Sequence, residues 1–137
     1  MIIPQNVIRN KIYADNKVIF VSVDDKTCDC YAENIVESQE GSGFTANVFG
    51  NKIEVKLSVL GKHFIINSLF ALAAANELGI STESAASALS GYQSDGKRQF
   101  VFEKDGHTVI SDCYNASPES MEAALSVLSK YHSRLFP

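Results

Sequence analysis

Residues 53–75 read IEVKLSVLGKHFIINSLFALAAA, and the hydrophobic period changes inside them. Ile53, Val55, Leu57 and Val59 alternate with polar residues, so they share one face of a strand. From Lys62 the apolar positions are Ile65, Ile66, Leu69, Phe70 and Ala73, which is the spacing of a helix face. The following run, Ala71 to Ala75, is rich in the best helix former. The switch from period 2 to period 3.6 therefore marks where a sheet hands over to helices.

Upstream, the chain reads as strands. Lys17–Val23 (KVIFVSV) is β-branched and apolar, Asp24-Asp25-Lys26 is a polar turn, and Cys28–Glu37 is a second strand. Gln39 to Gly43 has turn chemistry, Phe44–Phe49 is a third strand, and Gly50-Asn51-Lys52 turns it into Ile53–Val59 as a hairpin. Downstream, Gly79 is read as the C-cap of the first helix. Ser81 caps a second helix with Glu83 in its first turn, ending near Ser90-Gly91. Tyr92 to Lys97 is a polar linker. Arg98–Glu103 and Thr108–Ser111 then flank Asp105-Gly106, a hairpin turn. Ser117-Pro118-Glu119 starts a last helix with N-cap, N1 proline and a first-turn carboxylate, and Met121, Ala124, Leu125 and Leu128 form its apolar face. The expected fold is α/β with mixed α+β character. A small, largely antiparallel sheet plus helices fills 1–95, and a βα piece over 96–137 reads as the truncated start of a second domain.

The chain has 137 residues, 45% hydrophobic and 20% charged, with a net charge of −4. That composition is globular, and the acidic balance argues against nucleic acid as a partner. Lys and Arg are scattered, so no basic membrane patch is expected, and no run approaches the ~18 apolar residues of a membrane span. With no signal-peptide pattern at Met1–Asn6, the expected location is cytoplasmic. Cys28, Cys30 and Cys113 are an odd set without zinc-ribbon spacing, and read as small residues in a reducing compartment.

Three stretches bear on chemistry. Gly91 to Arg98 (GYQSDGKR) nearly matches the phosphate-binding loop, but Arg98 stands where the magnesium-binding hydroxyl belongs. Its setting, helix before and strand after, is also the reverse of what a helix-dipole phosphate site needs. Asp112 to Pro118 (DCYNASP) runs from a strand end into a helix start, where ligands of such sheets bind. Asp112 and Asn115 there admit two readings: ligand contacts, or turn residues bonding their own backbone. His63 and Asn67 lie at i and i+4 on one helix face. They suit either the edge of a planar heterocycle or ordinary helix-start packing. His107, His132, Asp24-Asp25 and Glu37 are expected to be solvated.

Taken in order, Gly61-x-His63-x-x-x-Asn67, the Ala-rich helix, Gly79-Ile80, Gly96-Lys97-Arg98 and Asp112-x-Tyr114-Asn115-Ala116-x-Pro118-x-Ser120-Met121 resemble the Mur ligases. The likeness spans the junction of their central ATPase and C-terminal domains. The Tyr-Asn-Ala-x-Pro-x-Ser-Met form resembles the branch that adds D-alanyl-D-alanine. The resemblance implies a fragment of an ATP- and Mg2+-dependent amide ligase of peptidoglycan synthesis, working through an acyl phosphate. Its substrates would be UDP-N-acetylmuramoyl-tripeptide and D-alanyl-D-alanine. It further implies that His63 and Asn67 face the adenine, Arg98 reaches the phosphates, Asp112 contacts the ribose, and Tyr114 and Asn115 lie near the dipeptide. Phe64 stands where the family often has Asn, and the strand–GxxxxGK[ST]–helix loop and magnesium ligands are missing, so the fragment alone is expected to be inactive with no catalytic residue of its own. The alternative is a non-catalytic, Mur-ligase-like interaction module. Tyr114-Asn115-Ala116 argues against a folylpolyglutamate-synthase-like relative. Apolar surface left open by missing flanking domains predicts a homodimer.

Overall fold

The computed structural model describes residues 2–4, 18–38, 40–94, 98–114 and 116–131. Five strands, β1 (Ile2–Pro4), β2 (Ile19–Ser22), β3 (Cys30–Ser38), β4 (Gly41–Val48) and β5 (Asn51–Leu57), form one sheet in chain order. The β3–β4 and β4–β5 ladders are antiparallel and run nearly the full length of their strands. β1–β2 and β2–β3 are parallel and short. The β2–β3 overlap is confined to Val21↔Cys30 and Ser22↔Tyr31. The connection through 23–29 is shorter than the roughly dozen residues of a full parallel crossover, so it can return the chain only a little way. The sheet is therefore largely antiparallel, as its sequence predicts, with a parallel edge that local pattern does not announce.

The turns sit slightly off their predicted places. Gly41 to Gly43 belongs to β4 instead of a loop. Gly41 has φ 137°, and a Cβ there would stand 1.9 Å from the Leu57 carbonyl oxygen, so only glycine lets β4 start this close to β5. The β4–β5 hairpin turns on Phe49 (φ 50°) and Gly50 (φ 88°), both left-handed as a two-residue primed turn requires, and Asn51 already begins β5.

α1 (Lys62–Glu77) lies across β1–β4, and α2 (Thr82–Ser90) packs on β5 and α1. Ile65, Leu69, Leu72 and Ala73 of α1 meet Val21, Cys30, Phe44, Val48 and Val55 of the sheet in one core. Ile66 and Phe70, predicted on the same face, flank this core half-buried. Leu78 is the C-cap of α1. Gly79 follows it, its N–H donating to Asn76 O and the Ile80 N–H to Ala75 O, the paired bonds of a Schellman ending.

β6 (Phe100–Lys104) and β7 (His107–Ser111) form a separate hairpin across Asp105 and Gly106, both at positive φ. α3 (Pro118–Leu128) opens with Ser117 as N-cap and a reciprocal capping box with Ser120. α3 docks through buried Val127, while Met121 (51% exposed), Leu125 (60%) and Leu128 (37%) face outward. The stripe read as its apolar face is thus not the docking face. Periodicity locates a stripe, but the neighbours at hand decide which side is covered. Among the described residues no helix is long and apolar enough to cross a membrane.

Candidate functional site

The site begins at Gly61, the N-cap of α1. Its φ of 112° takes the chain from β5 into the helix, and a Cβ would fall 2.8 Å from His63 Cε1. Glycine is therefore what allows the imidazole to fold back over the helix start. The Gly61 carbonyl accepts from Phe64 N–H at 3.0 Å, and its N–H donates to Glu37 Oε1 at 2.9 Å. The second Glu37 oxygen pairs with Lys130, just past α3. Glu37, expected in solvent, is instead a half-buried clamp joining β3, the start of α1 and the end of α3.

His63 is half-buried. Burial holds its pKa below the usual histidine value, and the nearby carboxylates of Asp112 and Glu37 only partly oppose this, so the neutral ring is favoured. The Phe64 ring tilts against it at 4.4 Å and toward Tyr92 at 6.2 Å. Asn67, one turn further along α1, is exposed, so the packing alternative of a buried amide does not hold for it. From the other half of the chain come Arg98, whose guanidinium lies 4.3 Å over the Tyr114 ring, Asp112 beyond the end of β7, and the Ser117–Ser120 start of α3. His63, Asn67, Arg98, Asp112 and Tyr114 line one cleft of about 340 Å³. A second cleft of about 490 Å³ shares Phe64, Asn67 and Arg98 and has Leu57, Val59, Leu89 and Tyr92 as apolar walls. Asn115 and Gly96-Lys97 lie outside the described residues.

The first cleft gathers polar and charged side chains. It offers a neutral imidazole, an amide, a carboxylate and a stacked guanidinium, which together suit a heterocycle, hydroxyls and an anion. Glu119 at its rim is held below the usual carboxylate range by its own backbone N–H and the Ser117 hydroxyl. Among the described residues no group of three or more His, Cys, Asp or Glu side chains could hold a metal ion. The cysteines stand apart from the cleft: Cys28 and Cys30 are buried, burial pushing Cys30 up to about 11, and Cys113 is exposed. The sequence pattern assigns Glu37 to solvent, counts Tyr92 in a polar linker and gives Gln99 no role. Tyr92 carried a signal as the aromatic in a polar linker, whereas Glu37 and Gln99 gained their places only from partners far along the chain.

Residues 3–75 match the family model of the Mur ligase middle domain. The chain is 38% identical over 100 residues to the UDP-N-acetylmuramoyl-tripeptide–D-alanyl-D-alanine ligase of Bacillus subtilis, covering 72% of this chain but only 21% of that ligase. Among solved structures it resembles MurF from Acinetobacter baumannii, with a TM-score of 0.80 and 27% identity over 94% of this chain and 29% of that one. MurF from Thermotoga maritima in complex with ADP shares the fold, with a TM-score of 0.77 and 20% identity over 94% of this chain and 30% of that one.

Proposed function

Because the chain belongs to the Mur ligase family, we propose that it is part of an ATP-dependent ligase that adds D-alanyl-D-alanine to UDP-N-acetylmuramoyl-tripeptide in peptidoglycan synthesis. Residues 1–95 would be the later part of the central domain and 96–137 the start of the C-terminal domain. The enzyme would work in the cytoplasm. The observation that carries this reading is the convergence of His63, Asn67, Arg98, Asp112 and Tyr114 on one cleft from both sides of the proposed division between residues 95 and 96.

In this reading Asn67 and His63 hold the adenine edge, with Phe64 and Tyr92 as apolar walls. Asp112 accepts the ribose hydroxyls, and Arg98 meets phosphate. Tyr114 and, by its place in the sequence motif, Asn115 are assigned to the incoming dipeptide. ATP supplies the phosphoryl group that activates the tripeptide carboxylate as an acyl phosphate, and the dipeptide amine then forms the amide. The donor set fits a nucleoside. It does not fit Mg2+, whose ligands we assign outside these residues. The 137 residues alone also lack a phosphate loop, so they should bind nucleotide weakly and turn none over.

Calorimetry with ATP and magnesium tests this on the wild type and on an Asn67→Ala/Asp112→Ala variant. Weak binding that the variant abolishes is the expected result. Absence of binding to the wild type would overturn the nucleotide half-site. A non-catalytic interaction module is the second reading, favoured by Phe64 in place of the family's frequent Asn and by the exposed Met121, Leu125 and Leu128 stripe. Both readings predict dimers by light scattering, since each leaves that stripe uncovered.

A further inference from the structure

Gln99 is held where a glutamine is costly. Its φ is 48°, in the left-handed region that disfavours a side chain with a Cβ. It is only 7% exposed, while both its neighbours, Arg98 and Phe100, are exposed. Its Oε1 has no hydrogen-bond partner, and a buried polar atom left that way costs about 1–3 kcal/mol. An apolar side chain would fill the same space without that cost. Among the described residues the one polar contact the amide makes is across the cleft: Nε2 lies 3.4 Å from His63 Nε2.

The donor and acceptor roles in that contact are constrained. The amide nitrogen can only donate, so the imidazole Nε2 must present its lone pair. The contact is a hydrogen bond only for the neutral tautomer with its proton on Nδ1, the ring edge that faces Gly61. An imidazolium would set donor against donor.

We propose that Gln99 is a positioning residue whose amide fixes the orientation and tautomer of His63 in the cleft. Through that contact the 98–99 segment, on one side of the cleft, sets the hydrogen-bonding pattern that α1 offers a ligand from the other. Burial favours the same neutral state. Among the described residues, the charged groups lining the two clefts that His63 borders are Glu37 on β3, Lys62 on α1, Arg98 and Asp112, and Glu119, Glu122 and Lys130 on and beyond α3. They are of mixed sign, so none alone dictates the tautomer.

For the ligand, the inference rests on the nucleotide reading above, but its test does not. His63 nitrogen shifts are recorded by long-range 1H–15N spectra across pH, with His63→Asn used to assign the signal among the three histidines. In the wild type, Nε2 should be unprotonated near pH 7. Gln99→Leu should keep the folded thermal transition but lose the tautomer preference. Gln99→Glu should move the proton to Nε2 and raise the titration midpoint by about one pH unit, because a carboxylate stabilises the imidazolium. A wild-type His63 protonated on Nε2, or spectra unchanged in folded Gln99→Leu, would overturn the proposal. ATP titration of the same samples reads the nucleotide assignment separately. Failure of the wild type to bind ATP removes that assignment and leaves the spectra to decide the pair.

Discussion

Removing the Glu37 carboxylate should destabilise the fold more than removing the lysine it pairs with. Glu37 Oε1 accepts the Gly61 N–H at 2.9 Å, and the other oxygen pairs with Lys130. The Glu37 side chain is 17% exposed and that of Lys130 31%, so the amide bond is the more protected of the two links. A hydrogen bond to a charged acceptor contributes ~1.5–3 kcal/mol. A partly exposed ion pair contributes ~0–1 kcal/mol. Glu37→Ala loses both and leaves the Gly61 N–H unpaired, for a total of about 2–4 kcal/mol. Glu37→Gln keeps an acceptor and should cost about 1 kcal/mol, close to Lys130→Met. Urea unfolding of the single variants and of the Glu37→Gln/Lys130→Met pair gives the coupling. Native-state hydrogen exchange adds a spatial readout: Lys130→Met should speed exchange in α3 alone, whereas Glu37→Ala should also speed it in the first turn of α1. If Glu37→Ala is no more destabilising than Lys130→Met, the clamp at Gly61 does not exist as described.

Gly61→Ala should cost at least ~1–2 kcal/mol, the penalty of a left-handed L-residue, and should shift the His63 resonances because the new methyl meets its ring; thermal melts and spectra check both. Leu69→Ala removes a fully buried side chain between α1 and the sheet and should cost ~2–5 kcal/mol in urea unfolding. Because burial lowers the His63 pKa, the folded state binds fewer protons than the unfolded chain below pH 6.5. The contribution of His63 is present above that value and is lost as pH falls through its folded pKa; His63→Asn should flatten that part of the stability profile. With a thiol reagent at pH 8, Cys113 should react at once. Cys28 and Cys30 should react only on unfolding, since both are buried and Cys30 ionises near 11; a fast reaction of all the thiols would contradict the core.

The sequence by itself determined the elements whose cause is local. The 53–75 period switch located β5 and α1, Ser81 and Ser117-Pro118 located α2 and α3, and Asp105-Gly106 located the second hairpin, because alternation, capping and left-handed turns act over a few residues. His63 and Asn67 were legible as a pair for the same reason, since i and i+4 share a helix face. Tertiary structure alone decided what depends on distant partners. Ile2–Pro4 becomes a strand only beside β2, and β2 pairs parallel to β3 over two residues only, an arrangement its short return connection does not announce. Glu37 reads as a solvated strand-end charge until Gly61 and Lys130 arrive at its two oxygens. Val127, not the Met121–Leu125–Leu128 stripe, is what α3 buries. Gln99 carries no local signal at all, because its burial and its contact with His63 exist only once the 98–99 segment lies against the start of α1. Local pattern fixes dihedrals and faces within a turn or two, and the choice among faces is made by whichever surface desolvates them.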